Sequence, residues 1–357
     1  MTIGDIETPA LLLDLDVLQN NIRIMAEYLK DKTVKLRPHT KCHKTPVIAH
    51  MQVKAGARGI TVAKLGEAEV MANAGIENIF IANQVVQMSK IEKLVNLNRY
   101  SNVSVAVDNP DVIDTLSSIA SKKNVKINTI VEIDVGLNRC GVLPGKPSVE
   151  LAKKIARSKG LIFEGVMGWE GYAAFIEDFT KRREECKKCY HKIVETAEQI
   201  RKAGMEVNTV SCGGTTSFNI AAEYPGINEL HAGSYVLMSL MHSLKKVPFK
   251  PSLTVLTTVI SRSTQERVIT DGGIKAFSRY GGNPKVHGIS GVEVHELHGE
   301  HGLLDLNDPS VDLRVGDKIE FIPAYPGSTV NLHNKFYVML GDLVEAIWNI
   351  EGRGRVD

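Results

Sequence analysis

The sequence predicts an α/β protein in which a (β/α)8 TIM barrel is followed by an appended C-terminal all-β domain. Three observations support this fold class. Eight short apolar runs alternate with helix-like segments up to residue 231. These runs are apolar almost throughout, which is typical of parallel strands that are covered on both faces. After residue 241 the helical periodicity stops, and strand-like runs separated by glycine-containing turns take over.

Each strand of the barrel is predicted from a short run rich in β-branched residues that a helix-like segment follows. The predicted strands cover residues 34–37, 59–63, 78–82, 103–107, 127–134, 161–167, 207–212 and 227–231. Helix-like segments precede the first strand at residues 17–29 and follow it at residues 46–55. Eight strand–helix units are the number that a closed barrel of this type requires.

The C-terminal module is predicted from short extended runs and from the turns between them. Its strands are predicted at residues 248–263, 267–269, 288–295, 318–322, 335–339 and 343–350, with turns at 271–273 and 281–283. The opening residues, 6–14, are extended by pattern and fit either unit. The predicted domains are a barrel over residues 10–244 and a β domain over residues 245–357 together with residues 1–9.

The composition favours small-molecule chemistry in a soluble, cytoplasmic protein. There are 43 Lys and Arg against 41 Asp and Glu, and no long run of like charge points to a nucleic acid or a membrane surface. The N-terminus lacks the positive charge of a signal peptide, and no apolar run approaches transmembrane length. The five cysteines follow no disulfide framework and predict reduced thiols. Cys186 and Cys189 lack a second ligand pair at zinc spacing.

Ionisable and glycine-rich segments stand where the predicted strands end, and such strand ends carry the active site in TIM barrels. The first strand runs into Arg37-Pro38-His39-Thr40-Lys41-Cys42-His43-Lys44. A lysine desolvated there can attack a carbonyl carbon, although a solvated basic loop is the alternative. Strands seven and eight end in Gly213-Gly214-Thr215 and Gly233-Ser234-Tyr235, whose N–H groups and hydroxyls suit a phosphate. A phosphate site beside an amine fits pyridoxal 5′-phosphate (PLP).

At these residues the sequence resembles the fold type III PLP enzymes with an alanine racemase N-terminal-type barrel, and within them the D-threonine aldolase and D-serine dehydratase group. The resemblance covers essentially the whole chain. It is carried by the segments around Lys41 and the two glycine-rich loops, and by these further motifs: Asp5-Ile6-Glu7-Thr8-Pro9, Glu132-Ile133-Asp134-Val135-Gly136, Arg139-Cys140-Gly141, Glu229-Leu230-His231, Asp271-Gly272-Gly273, Glu300-His301-Gly302 and Asn331-Leu332.

The resemblance implies a role for each matching position. Lys41 would form the imine with PLP, with Arg37 and His39 around it, and Arg139 would lie near the phenolic oxygen of the cofactor. The phosphate would be held by Gly213, Gly214, Thr215, Gly233, Ser234 and Tyr235. The resemblance also implies a homodimer and an amino-acid substrate.

Two departures from the family's pattern bear on the reaction. The family carries a pair of metal ligands in the loop before Asn331-Leu332, but here those positions hold Tyr325 and Gly327. Neither residue suits a divalent cation, so no metal site is predicted there. Glu170 stands where the aldolases have a base histidine. The predicted catalytic residues are therefore Lys41, Glu170 and Tyr325.

These departures leave three functions open. In the first, Glu170 deprotonates a β-hydroxyl, Tyr325 or a nearby histidine replaces the lost metal contact, and the enzyme is an aldolase- or dehydratase-type lyase of β-hydroxy-D-amino acids. In the second, Lys41 and either Glu170 or Tyr325 exchange the Cα proton, as in a racemase or epimerase. The third is a non-catalytic PLP-binding protein, against which the full β module argues. The sequence does not identify the amino acid.

Overall fold

The structure is a computed structural model that describes residues 1–308 and 310–357. The described residues group into two compact units. The β unit consists of Met1–Ile24, Cys42–Val47 and Ser234–Gly354, and the barrel unit consists of Met25–Lys41, Ile48–Gly233 and Arg355–Asp357. The domain boundaries at residues 9 and 244 stay predictions, since in this grouping the β unit takes the first 24 residues and resumes at Ser234.

The elements alternate through the barrel unit and become almost entirely β beyond it. In chain order the strands are β1 (Ala10–Asp14), β2 (Lys35–Leu36), β3 (Ile60–Val62), β4 (Asn78–Gln84), β5 (Asn102–Val107), β6 (Ile127–Glu132), β7 (Leu161–Met167), β8 (Thr209–Cys212), β9 (Glu229–Leu230), β10 (Leu253–Ser261), β11 (Arg267–Thr270), β12 (Lys285–Val286), β13 (Val292–Leu297), β14 (Gly302–Leu306), β15 (Lys318–Ile322), β16 (Lys335–Leu340) and β17 (Leu343–Asn349). The α-helices are α1 (Leu15–Leu29), α2 (Pro46–Lys54), α3 (Leu65–Asn73), α4 (Met88–Leu97), α5 (Pro110–Lys122), α6 (Lys146–Arg157), α7 (Gly171–Ala174), α8 (Phe179–Lys202), α9 (Phe218–Ala221), α10 (Leu240–Ser243) and α11 (Pro326–Val330).

The predicted barrel is confirmed. Its eight strands are all parallel and follow the order β2-β9-β8-β7-β6-β5-β4-β3. A parallel bridge between His39 and Thr61 joins the two ends of this order, and the Thr61 N–H donates to the Pro38 carbonyl at 2.9 Å. The sheet therefore closes, and the carboxyl ends of its strands share one rim.

Local sequence explains where the barrel helices begin. Helix α5 follows Asn109, whose side chain accepts from the Asp111 N–H at 2.8 Å, and Pro110 occupies its first turn. Helix α8 follows Asp178, whose carboxylate accepts from the Lys181 N–H at 2.8 Å. These caps satisfy amide groups that have no partner inside the helix.

Apolar side chains from neighbouring strands fill part of the barrel interior. Phe80, Ala106, Ile130 and Met167 lie on four consecutive strands and form one buried cluster. Burying a side chain the size of phenylalanine stabilises a fold by roughly 1.5–3 kcal/mol. The near-continuous apolar runs of the sequence therefore correspond to strands that need cover on both faces.

An ion pair is also buried in the barrel unit. Arg37 Nε lies 3.0 Å from Glu229 Oε2, and Arg37 Nη1 donates to Asn78 Oδ1 at 2.6 Å. Burial would raise the pKa of Glu229, but the close approach of His231, whose Nε2 lies 3.3 Å from Glu229 Oε1, and the charge of Arg37 outweigh it and lower the pKa to about 2. The resemblance places Arg37 beside Lys41, whereas these contacts direct its guanidinium towards Glu229 and Asn78.

The predicted C-terminal β domain is confirmed as a sheet of nine strands with the main order β13-β14-β11-β10-β1-β16-β17, in which β15 pairs with β10 and β12. The opening residues join it, because β1 pairs with β10 in antiparallel and with β16 in parallel orientation. The sequence did not predict β12 or β14. Strand β14 reads Gly-Leu-Leu-Asp-Leu and has no β-branched residue, so its pairing with β11 and β13 defines it.

Two simpler expectations can also be compared with the structure. All five cysteines carry free thiols, as predicted. Cys186 and Cys189 are buried on helix α8. Among the helices of the described residues, none combines the length and the apolar character that crossing a bilayer requires.

Candidate active site

Lys41 lies directly after the first barrel strand, in a 3₁₀ turn formed by Thr40–Cys42. The hydroxyl of Thr40 donates to the Thr61 carbonyl at 3.2 Å, which fixes the turn to the neighbouring strand. The Lys41 N–H lies 3.4 Å from His39 Nδ1, which accepts from it. Lys41 is half-buried, and its Nζ lies 5.4 Å from the centre of the Trp169 ring. The predicted amine is thus at the rim that the strand ends share.

Trp169 is the residue around which the predicted site residues of the barrel unit meet. The Arg139 guanidinium carbon lies 5.0 Å from the centre of the indole on which Lys41 also packs. A Cβ added to Gly214 would lie 3.7 Å from Trp169 Nε1. One indole therefore touches the amine segment, the arginine and the glycine-rich loop. The position of Trp169 in the sequence, just after a barrel strand, is a signal for this role, because an aromatic residue at a strand end is well placed to line a ligand pocket.

Arg139 has an acidic neighbour. Its Nη2 lies 3.7 Å from Glu132 Oε1, at the end of β6, and Gln84 Nε2 donates to Glu132 Oε2 at 2.5 Å. Burial raises the pKa of Glu132 despite the opposing effects of Gln84 and Arg139. The sequence analysis listed Glu132 in a family motif but gave it no role. Its carboxyl group orients the arginine above Trp169.

The loop after β8, residues 213–217, is a tight turn with an available hydroxyl. Gly213 has a φ of +85°, and an added Cβ would lie 2.9 Å from Leu230 Cδ2, so a side chain there is strained and crowded. The Gly214 N–H donates to Ser217 Oγ at 3.0 Å. Thr215 Oγ1 is buried and has no hydrogen-bond partner among the residues that the structure describes. A buried hydroxyl of this kind suits a ligand that accepts its hydrogen bond.

The second predicted phosphate segment begins at Gly233, which is forced to be small. A Cβ there would lie 2.1 Å from the His39 carbonyl oxygen, so the chain after β9 passes directly over the segment that bears Lys41. Ser234 and Tyr235 follow in a 3₁₀ turn of the β unit. The Tyr235 ring is buried and lies 5.4 Å from that of Phe249.

Glu170 follows the sixth barrel strand and points into the protein rather than into solvent. Its side chain is fully buried and accepts three hydrogen bonds. Tyr190 Oη and Ser217 Oγ donate to its Oε1 at 2.9 and 2.6 Å, and the Gly213 N–H donates to its Oε2 at 3.2 Å. Its role as a base therefore stays a prediction, and the surroundings are those of a group that holds other groups in place.

Tyr325 lies in the β unit, immediately before helix α11. Its ring lies 6.3 Å from that of His242, with which it stacks, and 5.1 Å from that of Tyr280. His242 Nδ1 in turn lies 2.8 Å from Ser239 Oγ. Burial, followed by the nearby Cys42 and Tyr280, raises the pKa of Tyr325 to about 12. The phenol is therefore protonated at neutral pH and can donate a hydrogen bond to a ligand.

The positions of the family's metal ligands, before the Asn331-Leu332 motif, are occupied here by Tyr325 and Gly327. Gly327 is buried within helix α11 and has no side chain to offer. In the part of the chain that the structure describes, no three histidine, cysteine, aspartate or glutamate side chains come together as ligands. That no metal binds at Tyr325 and Gly327 stays a prediction.

Comparison with known proteins gives matches along the whole chain. Residues 13–240 match the family "Alanine racemase, N-terminal domain", and residues 252–339 match the "Putative serine dehydratase domain". The chain is 33% identical to the D-threonine aldolase of Arthrobacter sp and 31% identical to the 3-hydroxy-D-aspartate aldolase of Paracoccus denitrificans (strain Pd 1222), in both cases over 99% of this chain and 94% of the other.

Solved structures give the same result. The crystal structure of D-threonine aldolase from Filomicrobium marinum superposes with a TM-score of 0.96 at 35% identity and covers 100% of this chain and 98% of that chain. The D-threo-3-hydroxyaspartate dehydratase from Delftia sp. HT23 superposes with a TM-score of 0.89 at 26% identity and covers 98% of each chain.

Proposed function

Because this chain belongs to the alanine racemase N-terminal-type family of fold type III PLP enzymes, in the D-threonine aldolase and D-serine dehydratase group, we propose that it is a PLP-dependent lyase of β-hydroxy-D-amino acids that cleaves the bond between Cα and Cβ. The observation that carries the proposal is the convergence of Lys41, Arg139 and Gly214 on Trp169. Around one aromatic ring, an amine could bind the aldehyde of PLP, a guanidinium its phenolic oxygen, and a glycine-rich loop its phosphate.

The residues present fit this cofactor. Lys41 would hold its aldehyde carbon, Arg139 would donate to its phenolic oxygen, and the 213–217 loop would take its phosphate through the buried hydroxyl of Thr215. By resemblance, Ser234 and Tyr235 would complete the phosphate site together with Gly233. When bound, PLP withdraws electrons from the bonds at Cα, and the protein selects the bond that breaks by the way it orients the substrate.

Tyr325 suits a contact with a hydroxyl group of the substrate. Burial raises the pKa of its phenol to about 12, so the phenol is protonated at neutral pH. A protonated phenol can donate a hydrogen bond to the substrate, and we assign this contact with the β-hydroxyl to Tyr325, in place of the lost metal contact. Cleavage between Cα and Cβ also needs a base that takes the proton of this hydroxyl, and we assign that role to His242. His242, stacked on Tyr325, is the histidine nearest to it in the described contacts.

The racemase remains the alternative, and the match of residues 13–240 to the alanine racemase barrel is the observation that supports it. A non-catalytic PLP carrier is the third possibility, and turnover of any amino acid would exclude it. The expected homodimer stays a prediction.

Turnover with threonine tests the proposal. We expect the holoenzyme to release acetaldehyde and glycine from D-threonine in equal amounts and to leave L-threonine unchanged. Lys41→Ala should abolish both the visible imine absorbance and the turnover, whereas the matched variant Lys44→Ala should keep both. Lys44 is a suitable control because it lies three residues further on, where its carbonyl accepts from the Gly352 N–H at 2.9 Å. If Lys44→Ala lost the absorbance and Lys41→Ala kept it, the assignment of the amine would be wrong.

A further inference from the structure

We infer that Glu170 is a positioning residue that holds the 213–217 loop in the shape that takes the phosphate of the cofactor. The inference rests on PLP as the proposed cofactor but not on the reaction that the enzyme catalyses. It replaces the role of substrate base that the sequence suggests for this carboxylate.

The Glu170 side chain is directed at the 213–217 loop and not at the substrate. Its two oxygens face the loop that follows the neighbouring strand β8, because Gly213 N–H and Ser217 Oγ both donate to them, at 3.2 and 2.6 Å. Tyr190, from helix α8, donates a third hydrogen bond at 2.9 Å. The side chain is fully buried, and all three hydrogen bonds that the carboxylate accepts come from the protein. A base for the substrate would need an oxygen that the substrate can reach.

The Ser217 hydroxyl connects Glu170 with the backbone of the loop. Ser217 Oγ donates to Glu170 and accepts from the Gly214 N–H at 3.0 Å, while the Ser217 N–H donates to the Gly214 carbonyl at 3.2 Å. The carboxylate therefore holds both ends of the loop, Gly213 through its N–H and Ser217 through its hydroxyl, and that hydroxyl in turn holds the Gly214 N–H. Gly213 adopts its φ of +85° without steric cost, so these hydrogen bonds select this conformation of the loop among the many that glycine allows.

The loop, held in this shape, uses one of its two threonine hydroxyls within the protein and leaves the other for a ligand. Thr216 Oγ1 donates to the Ala174 carbonyl at 2.6 Å and is used within the protein. Thr215 Oγ1, one residue earlier, is buried and has no partner in the described chain. The turn thus separates two adjacent hydroxyls into one that anchors the loop to the segment after Glu170 and one that can donate to a phosphate oxygen.

Glutamine at position 170 should disturb this arrangement with little change in size. Its amide nitrogen is a donor, so either the Gly213 N–H faces another donor or the hydroxyls of Tyr190 and Ser217 must turn round and accept, which removes the hydrogen bonds that they donate at this position. The turn would then relax, and the loss should fall on the phosphate contact. Binding of the rest of the cofactor, which depends on Lys41 and Arg139, should change little.

Comparing PLP with pyridoxal, which lacks the phosphate, isolates this effect. We expect Glu170→Gln apoenzyme to bind PLP about tenfold more weakly than the wild type, about 1.4 kcal/mol, while its affinity for pyridoxal stays within about twofold. The dissociation constants are measured from the imine absorbance in titrations of the apoenzyme. Glu132→Gln is the comparison, because Glu132 is also buried at a strand end but contacts Arg139 and Gln84. It should weaken the binding of PLP and pyridoxal alike and so keep the ratio of the two affinities.

A second variant guards against misfolding. Ser217→Ala removes the connecting hydroxyl without changing a buried charge, and it should lower the preference for PLP in the same way. If both variants keep the wild-type ratio of PLP to pyridoxal affinity, or lose both affinities equally, the inference is wrong. If wild-type apoenzyme binds no PLP, the proposed function itself fails, and this outcome is distinguishable because it needs no variant.

Discussion

Replacing Glu229 with glutamine should lower the free energy of unfolding at neutral pH by about 3 kcal/mol. The Glu229 carboxylate is fully buried and pairs with Arg37 at 3.0 Å. Its pKa is lowered from 4.5 to about 2, and at about 1.36 kcal/mol per pH unit this difference corresponds to about 3 kcal/mol. Removing one partner of a buried ion pair costs about 3–5 kcal/mol in general, because the other charge stays buried, and this independent estimate of the same loss agrees in size.

The sign of the pH dependence follows from the lowered pKa. The stabilisation by Glu229 is fully present above pH 4.5 and is lost as the pH falls through about 2. Urea unfolding should therefore show a steeper loss of stability over this acid range in the wild type than in Glu229→Gln. Glu198→Gln is the control, since Glu198 forms an exposed pair with Arg201 at 2.6 Å and its loss should cost less than about 1 kcal/mol. Equal stability of Glu229→Gln and wild type at neutral pH would refute the reasoning.

Three further predictions concern the site. Gly233→Ala should abolish PLP binding in an absorbance titration, because the new Cβ would lie 2.1 Å from the His39 carbonyl oxygen; unchanged binding would contradict the close approach. Tyr325→Phe should lower kcat/KM for D-threonine by about 10- to 100-fold and leave the affinity for PLP unchanged, whereas full activity would remove Tyr325 from the mechanism. Dialysis against a chelator should leave turnover unchanged, and loss of activity that a divalent ion restores would show that a metal is required.

The barrel could be predicted from the sequence because each of its strands is a short, nearly continuous apolar run rich in β-branched residues. The β-branched residues of β5 and β7, and the polar ends that follow them, make these elements visible without any tertiary contact. Strand β14 has no such mark, and its existence depends on pairing with β11 and β13. Local patterns thus identify strands that are covered on both faces better than strands that long-range pairing defines.

The candidate site was predictable in its chemistry but only partly in its contacts. Lys41 and the glycine-rich loops carry their own signals, namely a lysine at a strand end and glycines at positions of tight approach. The burial of Glu170 depends on Tyr190, from helix α8, and on Ser217, so no pattern around Glu170 itself predicts it. In the same way, the convergence on Trp169 joins three strand ends that are far apart in sequence.

Cleavage of D-threonine in deuterated water tests the central claim most directly. The wild-type holoenzyme is incubated with D-threonine, and acetaldehyde release is followed together with deuterium at Cα and the configuration of the remaining threonine. A lyase should release acetaldehyde and yield glycine that carries one deuterium at Cα, while the remaining D-threonine keeps its configuration. Threonine that is labelled at Cα with inverted configuration, without release of aldehyde, would contradict the account and establish the racemase instead.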